Sequence, residues 1–282
     1  MIGRAFRLLG ISLNVGELPR SLAFYRDALG FAVIAEEKAP RNWVRPIATD
    51  GVRVRSARLR LGGQELELVE FDPPGAPYPP GSTAADLWFQ HFAIVTNDMA
   101  AAYRRLQRHG ATLITHGGPQ HLPPAAGAVT AYKFRDPDGH PLELIFFPPG
   151  SGDPAWQGVA GGIDHSALSV CEAERSLAFY GGFGLGVRSR QVNSGAAQDR
   201  LDGLANVAVE VIGLSPVALQ TPHLELLCYA APRGRERDPG GRASDIADSR
   251  LIFEVDGPCT AFVRDPDGHA SVLLEREPEQ LN

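Results

Sequence analysis

Between residues 8 and 15 apolar side chains fall on alternate positions, Leu9, Ile11, Leu13 and Val15, the period of a half-buried strand. A helix over 19–29 follows, with Pro19 in its first turn and Gly30 as its stop. Strands are predicted over 31–36, 52–61 and 64–71, the last two joined by a Gly62-Gly63 hairpin turn. The next stretch repeats this order: strand 89–96, helix 99–109 ended by Gly110, strand 112–115, then a hairpin of 129–135 with 142–147. Each stretch reads as a βαβββ unit. Proline-rich segments over 72–81 and 148–154 read as linkers between units.

The hairpin turn of the second unit is Asp136-Pro137-Asp138-Gly139. Proline presets φ at its first corner and glycine takes the left-handed position that closes it. The strand leaving this turn, Leu142-Glu143-Leu144-Ile145-Phe146-Phe147, is apolar on both faces except at Glu143. A buried, unpaired carboxylate costs several kcal/mol, so Glu143 is exposed, ion-paired or bound to a metal.

The second half repeats the first. Arg20-Ser21-Leu22-Ala23-Phe24-Tyr25 recurs 155 residues later as Arg175-Ser176-Leu177-Ala178-Phe179-Tyr180. Leu66-Glu67-Leu68 returns as Leu224-Glu225-Leu226, and the turn returns as Arg264-Asp265-Pro266-Asp267-Gly268-His269. Three residues past that second His stands Val272, where the first copy has Glu143, so the turn is architecture and the glutamate is something more. A third unit runs over 162–229, and a basic-acidic loop over 233–242 leads into a fourth. The fourth keeps its first strand and final hairpin but, with about 29 residues missing between 256 and 260, lacks the helix and one strand.

A chain of 282 residues with 44% hydrophobic content can bury a sizeable core, enough for one large or two ordinary domains. The formal charge of −6 gives no reason to expect nucleic acid, and no basic run suggests a membrane surface. Cys171, Cys228 and Cys259 show neither paired nor metal-type spacing, which fits a reducing cytosol. Residues 1–7 lack the apolar core of a signal peptide, and no run approaches ~18 apolar residues. The expectation is a soluble, cytoplasmic protein.

The Ser-Leu-Ala-Phe-Tyr helices, the Asp-Pro-Asp-Gly-His hairpins and Ile163-Asp164-His165-Ser166-Ala167-Leu168-Ser169-Val170 resemble the vicinal oxygen chelate superfamily. That group includes glyoxalase I, extradiol dioxygenases, methylmalonyl-CoA epimerase, and fosfomycin and bleomycin resistance proteins. The resemblance covers nearly the whole chain. It implies an α+β fold of four βαβββ-type modules, the fourth truncated, pairing into curved mixed β-sheets with the helices outside. Two glyoxalase-like domains are expected, 1–150 (modules 1–75 and 84–148) and 160–282 (modules 160–230 and 243–276).

In such proteins each module offers one metal ligand from its first strand and one from its last. Here the first-strand positions are Gly10, His91, His165 and Arg250, and the last-strand positions are Glu67, Glu143, Glu225 and Val272. If modules pair one–two and three–four, one site holds Glu67, His91 and Glu143, and the other His165 and Glu225. If they pair two–three and one–four, a single cavity receives His91, Glu143, His165 and Glu225, which favours this arrangement. Two imidazoles and two carboxylates suit Zn, Ni, Co, Mn or Fe(II) and leave positions for a substrate with adjacent oxygens. A ligating glutamate that swings off, Glu143 or Glu225, can take a proton from an acidified C–H.

The resemblance thus implies a metal-dependent lyase or isomerase acting on a small molecule. An extradiol-type dioxygenase is the alternative, weakened because the tyrosine of that signature falls at Lys133 here, with Tyr132 one place off and facing the other side of the strand. The rival from another class is a metal-free protein that binds a drug or metabolite. A monomer or a homodimer is expected. Glu67 has the weakest case as a ligand, since Arg58 or Arg60 can pair with it across the hairpin. His140 and His269 follow the turn in both halves and read as structural. His223 shares a strand face with Glu225, and the polar stretch 193–202 reads as a solvated loop that can also line a substrate.

Overall fold

The computed structural model describes residues 4–37, 52–152, 156, 161–216, 221–257 and 260–276. Cys259, the first three residues and Asp153-Pro154 of the second linker lie outside them. Module one comprises β1 (Arg4–Val15), α1 (Leu18–Asp27), β2 (Ala32–Glu37), β3 (Arg53–Leu61) and β4 (Gln64–Asp72). Module two comprises β5 (Gln90–Val95), α2 (Met99–Arg108), the short β6 (Thr112–Leu113) and β7 (Gln120–His121), β8 (Thr130–Arg135) and β9 (Pro141–Phe146). Module three comprises β10 (Ile163–Val170), α3 (Ala173–Gly181), β11 (Gly186–Ser194), α4 (Ala196–Asp202), β12 (Ala208–Ser215) and β13 (His223–Ala231). Module four keeps β14 (Arg250–Asp256), β15 (Ala261–Arg264) and β16 (Ala270–Glu275). The interval from Asp256 to Ala261 has no room for a helix.

One sheet runs β15-β16-β14-β1-β4-β3-β2 and the other β11-β12-β13-β10-β5-β9-β8-β6, with β7 beside β8. First strands therefore meet in antiparallel pairs, β1 with β14 and β5 with β10, and modules pair one–four and two–three. Alternation along these strands sends Leu13, Phe92, Leu168 and Phe253 toward the helices, where they join Phe24, Leu106 and Tyr180 in one apolar core. The opposite face of the second sheet carries the candidate site. No helix of the described residues is long and apolar enough to cross a membrane. Cys171 and Cys228 are free thiols.

The two repeated motifs recognise each other. On α1, Tyr25 donates to Asp136 Oδ2 at 2.9 Å and Ser21 donates to Asp138 Oδ2 at 2.7 Å, while Arg20 pairs with Asp138. On α3, Tyr180 donates to Asp265 Oδ2 at 3.1 Å and Arg175 pairs with Asp267 at 2.8 Å. Each helix thus grips the hairpin turn of the next module. Helix–turn contacts join one to two and three to four, sheet pairing joins two to three and one to four, and the four modules close a ring. The turn histidines belong to this frame: His140 lies between Asp136 Oδ2 (2.9 Å) and the Ile246 carbonyl (3.0 Å), and His269 Nε2 faces the Ser169 carbonyl at 2.9 Å.

The segments that join module one to two and module three to four also repeat. The Ala76 amide donates to Asp245 Oδ1 at 2.8 Å, and 159 positions on, the Arg235 amide donates to Asp86 Oδ1 at 2.8 Å. Leu87 donates to the Arg235 carbonyl (3.0 Å) and Ile246 to the Ala76 carbonyl (2.9 Å). The two segments cross tightly because a Cβ on Gly75 would collide with the Ser244 carbonyl, and one on Gly234 with the Ala85 carbonyl. Both positions require glycine for close approach.

Candidate metal centre

Four neighbouring strands, β9, β5, β10 and β13, present one face to a cavity of about 220 Å³. Across the β5–β10 ladder Ala167 lies opposite His91, and His165 lies opposite Ala93. Glu143 on β9 is in register with Ala93, and Glu225 on β13 with Ala167. Because side chains alternate, residues in register share a face. His91, Glu143, His165 and Glu225 all line the cavity, and the two fully buried alanines leave space between them. Ligand atoms of His91, Glu143 and His165 lie within 4.8 Å of one another, close enough to hold a metal ion.

His91 Nε2 is 3.0 Å from Glu143 Oε2, and His165 Nε2 is 3.6 Å from Glu225 Oε2. His223 Nε2 approaches the other oxygen of Glu225 at 3.4 Å. Burial holds His91 below the usual imidazole range. Burial also disfavours charge on His165, but Glu225, Asp164 and Glu143 outweigh it and push that imidazole up to about 9. Burial alone would raise both glutamates; instead His91 and Lys133 hold Glu143 below the carboxylate range, and His165 and His223 do the same for Glu225. The donor set suits a divalent ion: the buried imidazoles face carboxylates, and among the described residues His91 Nδ1 has no hydrogen-bond partner.

The Glyoxalase/Bleomycin resistance protein/Dioxygenase superfamily model matches residues 7–144. That match takes in modules one and two, just under half of the chain. A lactoylglutathione lyase of Salmonella typhimurium is 29% identical over 142 residues, spanning 49% of this chain and 91% of that protein. A putative lactoylglutathione lyase of Brassica oleracea is 28% identical over the same share of this chain, and the match spans 44% of its length. Glyoxalase I from Zea mays shares the fold with a TM-score of 0.62 at 17% identity, covering 95% of this chain and 92% of that one.

Glu67 is the candidate that the others do not meet. Module one's last strand pairs with β1, so Glu67 stands in the other sheet, opposite Ser12 and Arg58. Its charge acts there on the fully buried Arg250, while Arg60 pairs with Glu65 at 2.9 Å. Tyr132 packs against Tyr103 and Phe134 on the helix side, and it is Lys133 that faces the cavity.

Several cavity residues escape a reading of the sequence. Of the two readings of 193–202, a solvated loop fails and a cavity lining fits: Asn193, Gln198 and Leu201 line the cavity, and α4 buries Gln198, Leu201 and Asp202. Thr115 Oγ1 donates to the Leu201 carbonyl at 2.9 Å and Arg200 Nε to Gln120 at 2.6 Å, so α4 roofs the cavity from module three while docked on module two. The helix-forming run Ala196-Ala197-Gln198 after Gly195 is the local signal for it. Asp164 accepts from His165 Nδ1 at 3.0 Å and from Trp156 Nε1 at 2.6 Å, which a regular strand would forbid between neighbours. A register shift between Ile163 and His165 brings the two side chains together.

Proposed function

We propose that the chain is a metal-dependent, glyoxalase-like lyase or isomerase acting on a small substrate with two adjacent oxygens. The observation that carries this reading is the convergence of two histidines and two glutamates, from modules two and three, on one cavity. His91, Glu143 and His165 would hold a borderline divalent ion such as Zn, Ni, Co, Mn or Fe(II), joined by Glu225. When bound, the ion supplies Lewis-acid polarisation that acidifies a C–H beside the paired oxygens.

Of the two glutamates, Glu225 is the base. Its side chain is 20% exposed against 7% for Glu143, and its contacts are longer, so it is the freer to swing toward a substrate. His223, beside its second oxygen, gives the proton an exit toward solvent. Glu143, pinned by His91 and the charge of Lys133, stays as a fixed donor. The apolar walls, Leu122, Val129, Ile145, Leu201 and Val209, keep bulk water from the reacting carbon. All four donors come from one chain, so this reading needs no second subunit.

The lactoylglutathione lyases among its relatives put hemithioacetals first in a substrate screen, with acyl-CoA thioesters and catechols after them. The test is exchange of the substrate C–H proton with deuterated solvent in metal-loaded protein. Glu225→Gln is expected to keep its metal and lose exchange by about a hundredfold or more. Full exchange in that variant would remove Glu225 from the role. Tight binding of aromatic ligands by a chain that takes up no metal would replace the enzyme with a binding protein.

A further inference from the structure

Beyond its charge acting on Glu143, one charged group in the cavity has no part in the proposed proton transfer. Lys133 is 4% exposed and lines the wall, and the hydrogen bond shown for its Nζ among the described residues is to Asp202 Oδ1 at 2.7 Å. Asp202 is itself fully engaged, its Oδ2 accepting from Gln198 Nε2 at 2.8 Å and the Tyr229 hydroxyl at 3.0 Å. That network fixes the ammonium in place. An ammonium carries three donors, and Asp202 takes one.

Stability alone is a poor reason for such a group. A buried ion pair is commonly no better than an apolar pair of the same volume, and the neighbouring Leu122, Ile145 and Leu201 would accept one. Position gives the better reason. Lys133 lies directly opposite Glu143 across β8–β9, whereas Gly213 takes the corresponding place opposite Glu225 across β12–β13. The donor set is nearly two-fold, but the lysine ammonium stands on one side only. A substrate carrying negative charge would find one preferred orientation, with its charged end toward module two and its C–H end toward Glu225.

We propose that Lys133 is the anion-recognising group of this cavity, so that the favoured substrates carry a carboxylate or develop an oxyanion on or beside the oxygen pair. The inference rests on the metal-centre reading for where that pair sits. Charge-assisted hydrogen bonds in a water-poor site are the strong ones, and neutral analogues forfeit them.

The probes are oxalate and its neutral analogue oxamide, titrated by calorimetry into zinc-reconstituted and metal-free protein, with metal content measured on each sample. The variants are Lys133→Arg, Lys133→Gln, and the charge-balanced pair Lys133→Met with Asp202→Asn, which removes the ammonium together with the carboxylate it pairs with. Oxalate affinity is expected to fall about tenfold or more in the Gln and paired variants, to survive in Lys133→Arg, and to leave oxamide binding unchanged. Unchanged oxalate affinity in the Gln and paired variants, with metal retained, overturns the inference and spares the metal centre. Lys133-dependent oxalate binding by a chain that takes up no zinc does the reverse. No oxalate binding in any sample overturns the anion site outright.

Discussion

His91 and His165 stand on a diagonal of the β5–β10 ladder, each opposite an alanine, with ring centroids 5.7 Å apart. The alanines are the floor between them. Ala167→Leu is expected to fill that floor, lower metal content below half an equivalent and destabilise the fold by about 1–3 kcal/mol through overpacking. Elemental analysis beside urea unfolding checks both effects. A leucine variant that binds metal normally would mean the ion sits elsewhere.

Asp164 reaches His165 because the strand is bulged, and its carboxylate fixes which ring nitrogen faces the cavity. Partners that orient a ligating histidine typically contribute 10- to 100-fold in metal affinity. Asp164→Ala is expected to lose about that much affinity at unchanged stoichiometry under saturating metal. Its loss of the Trp156 hydrogen bond should also shift tryptophan fluorescence. Wild-type affinity in this variant would reduce Asp164 to a scaffold residue.

His140 presents both ring nitrogens to acceptors, Asp136 and the Ile246 carbonyl, and only the imidazolium can donate to both. Burial opposes that charge, but Asp136 outweighs it and the folded-state value is raised, while Asp136 itself is lowered by His140 and Tyr25 against its own burial. The raised histidine contributes stability fully below about pH 6.5, its unfolded value, and loses it as pH rises through the folded value. The lowered carboxylate contributes fully above about pH 4 and loses it as pH falls through its folded value. The stability advantage of wild type over His140→Gln should therefore be largest at about pH 4–6.5 and shrink in alkali. A difference that stays flat between pH 5 and 9, measured by urea unfolding, would show that His140 is neutral in the fold.

Gly75 and Gly234 mark the crossing of the two linkers. Either glycine changed to alanine forces backbone apart and is expected to cost about 1–3 kcal/mol. Asp86→Ala should cost a similar amount, since its carboxylate accepts from the Arg235 amide and guanidinium and from the Thr83 amide. Urea midpoints within error of wild type for all three would show that the crossing contributes nothing to stability.

The modules were legible because two patterns, Arg-Ser-Leu-Ala-Phe-Tyr and Arg-Asp-Pro-Asp-Gly-His, each occur twice, and alternation around His91, Glu143, His165 and Glu225 gives their faces directly. What those motifs bind was not legible: Tyr25 closes the first helix motif, and nothing in that run shows that its hydroxyl is tied to Asp136 in another module. Glu67 sits in the same Leu-Glu-Leu context as Glu225, and only sheet pairing separates them. The helix α4 buries Gln198 and Asp202, polar residues that leave no apolar stripe to detect. Lys133 and Asp202 meet from 69 positions apart.

The most direct measurement is metal content after reconstitution of wild type, His91→Ala and His165→Ala. One equivalent in wild type, lost in both single variants, is expected if modules two and three share one centre. Metal retained in full by His165→Ala, or no uptake by wild type, would contradict it.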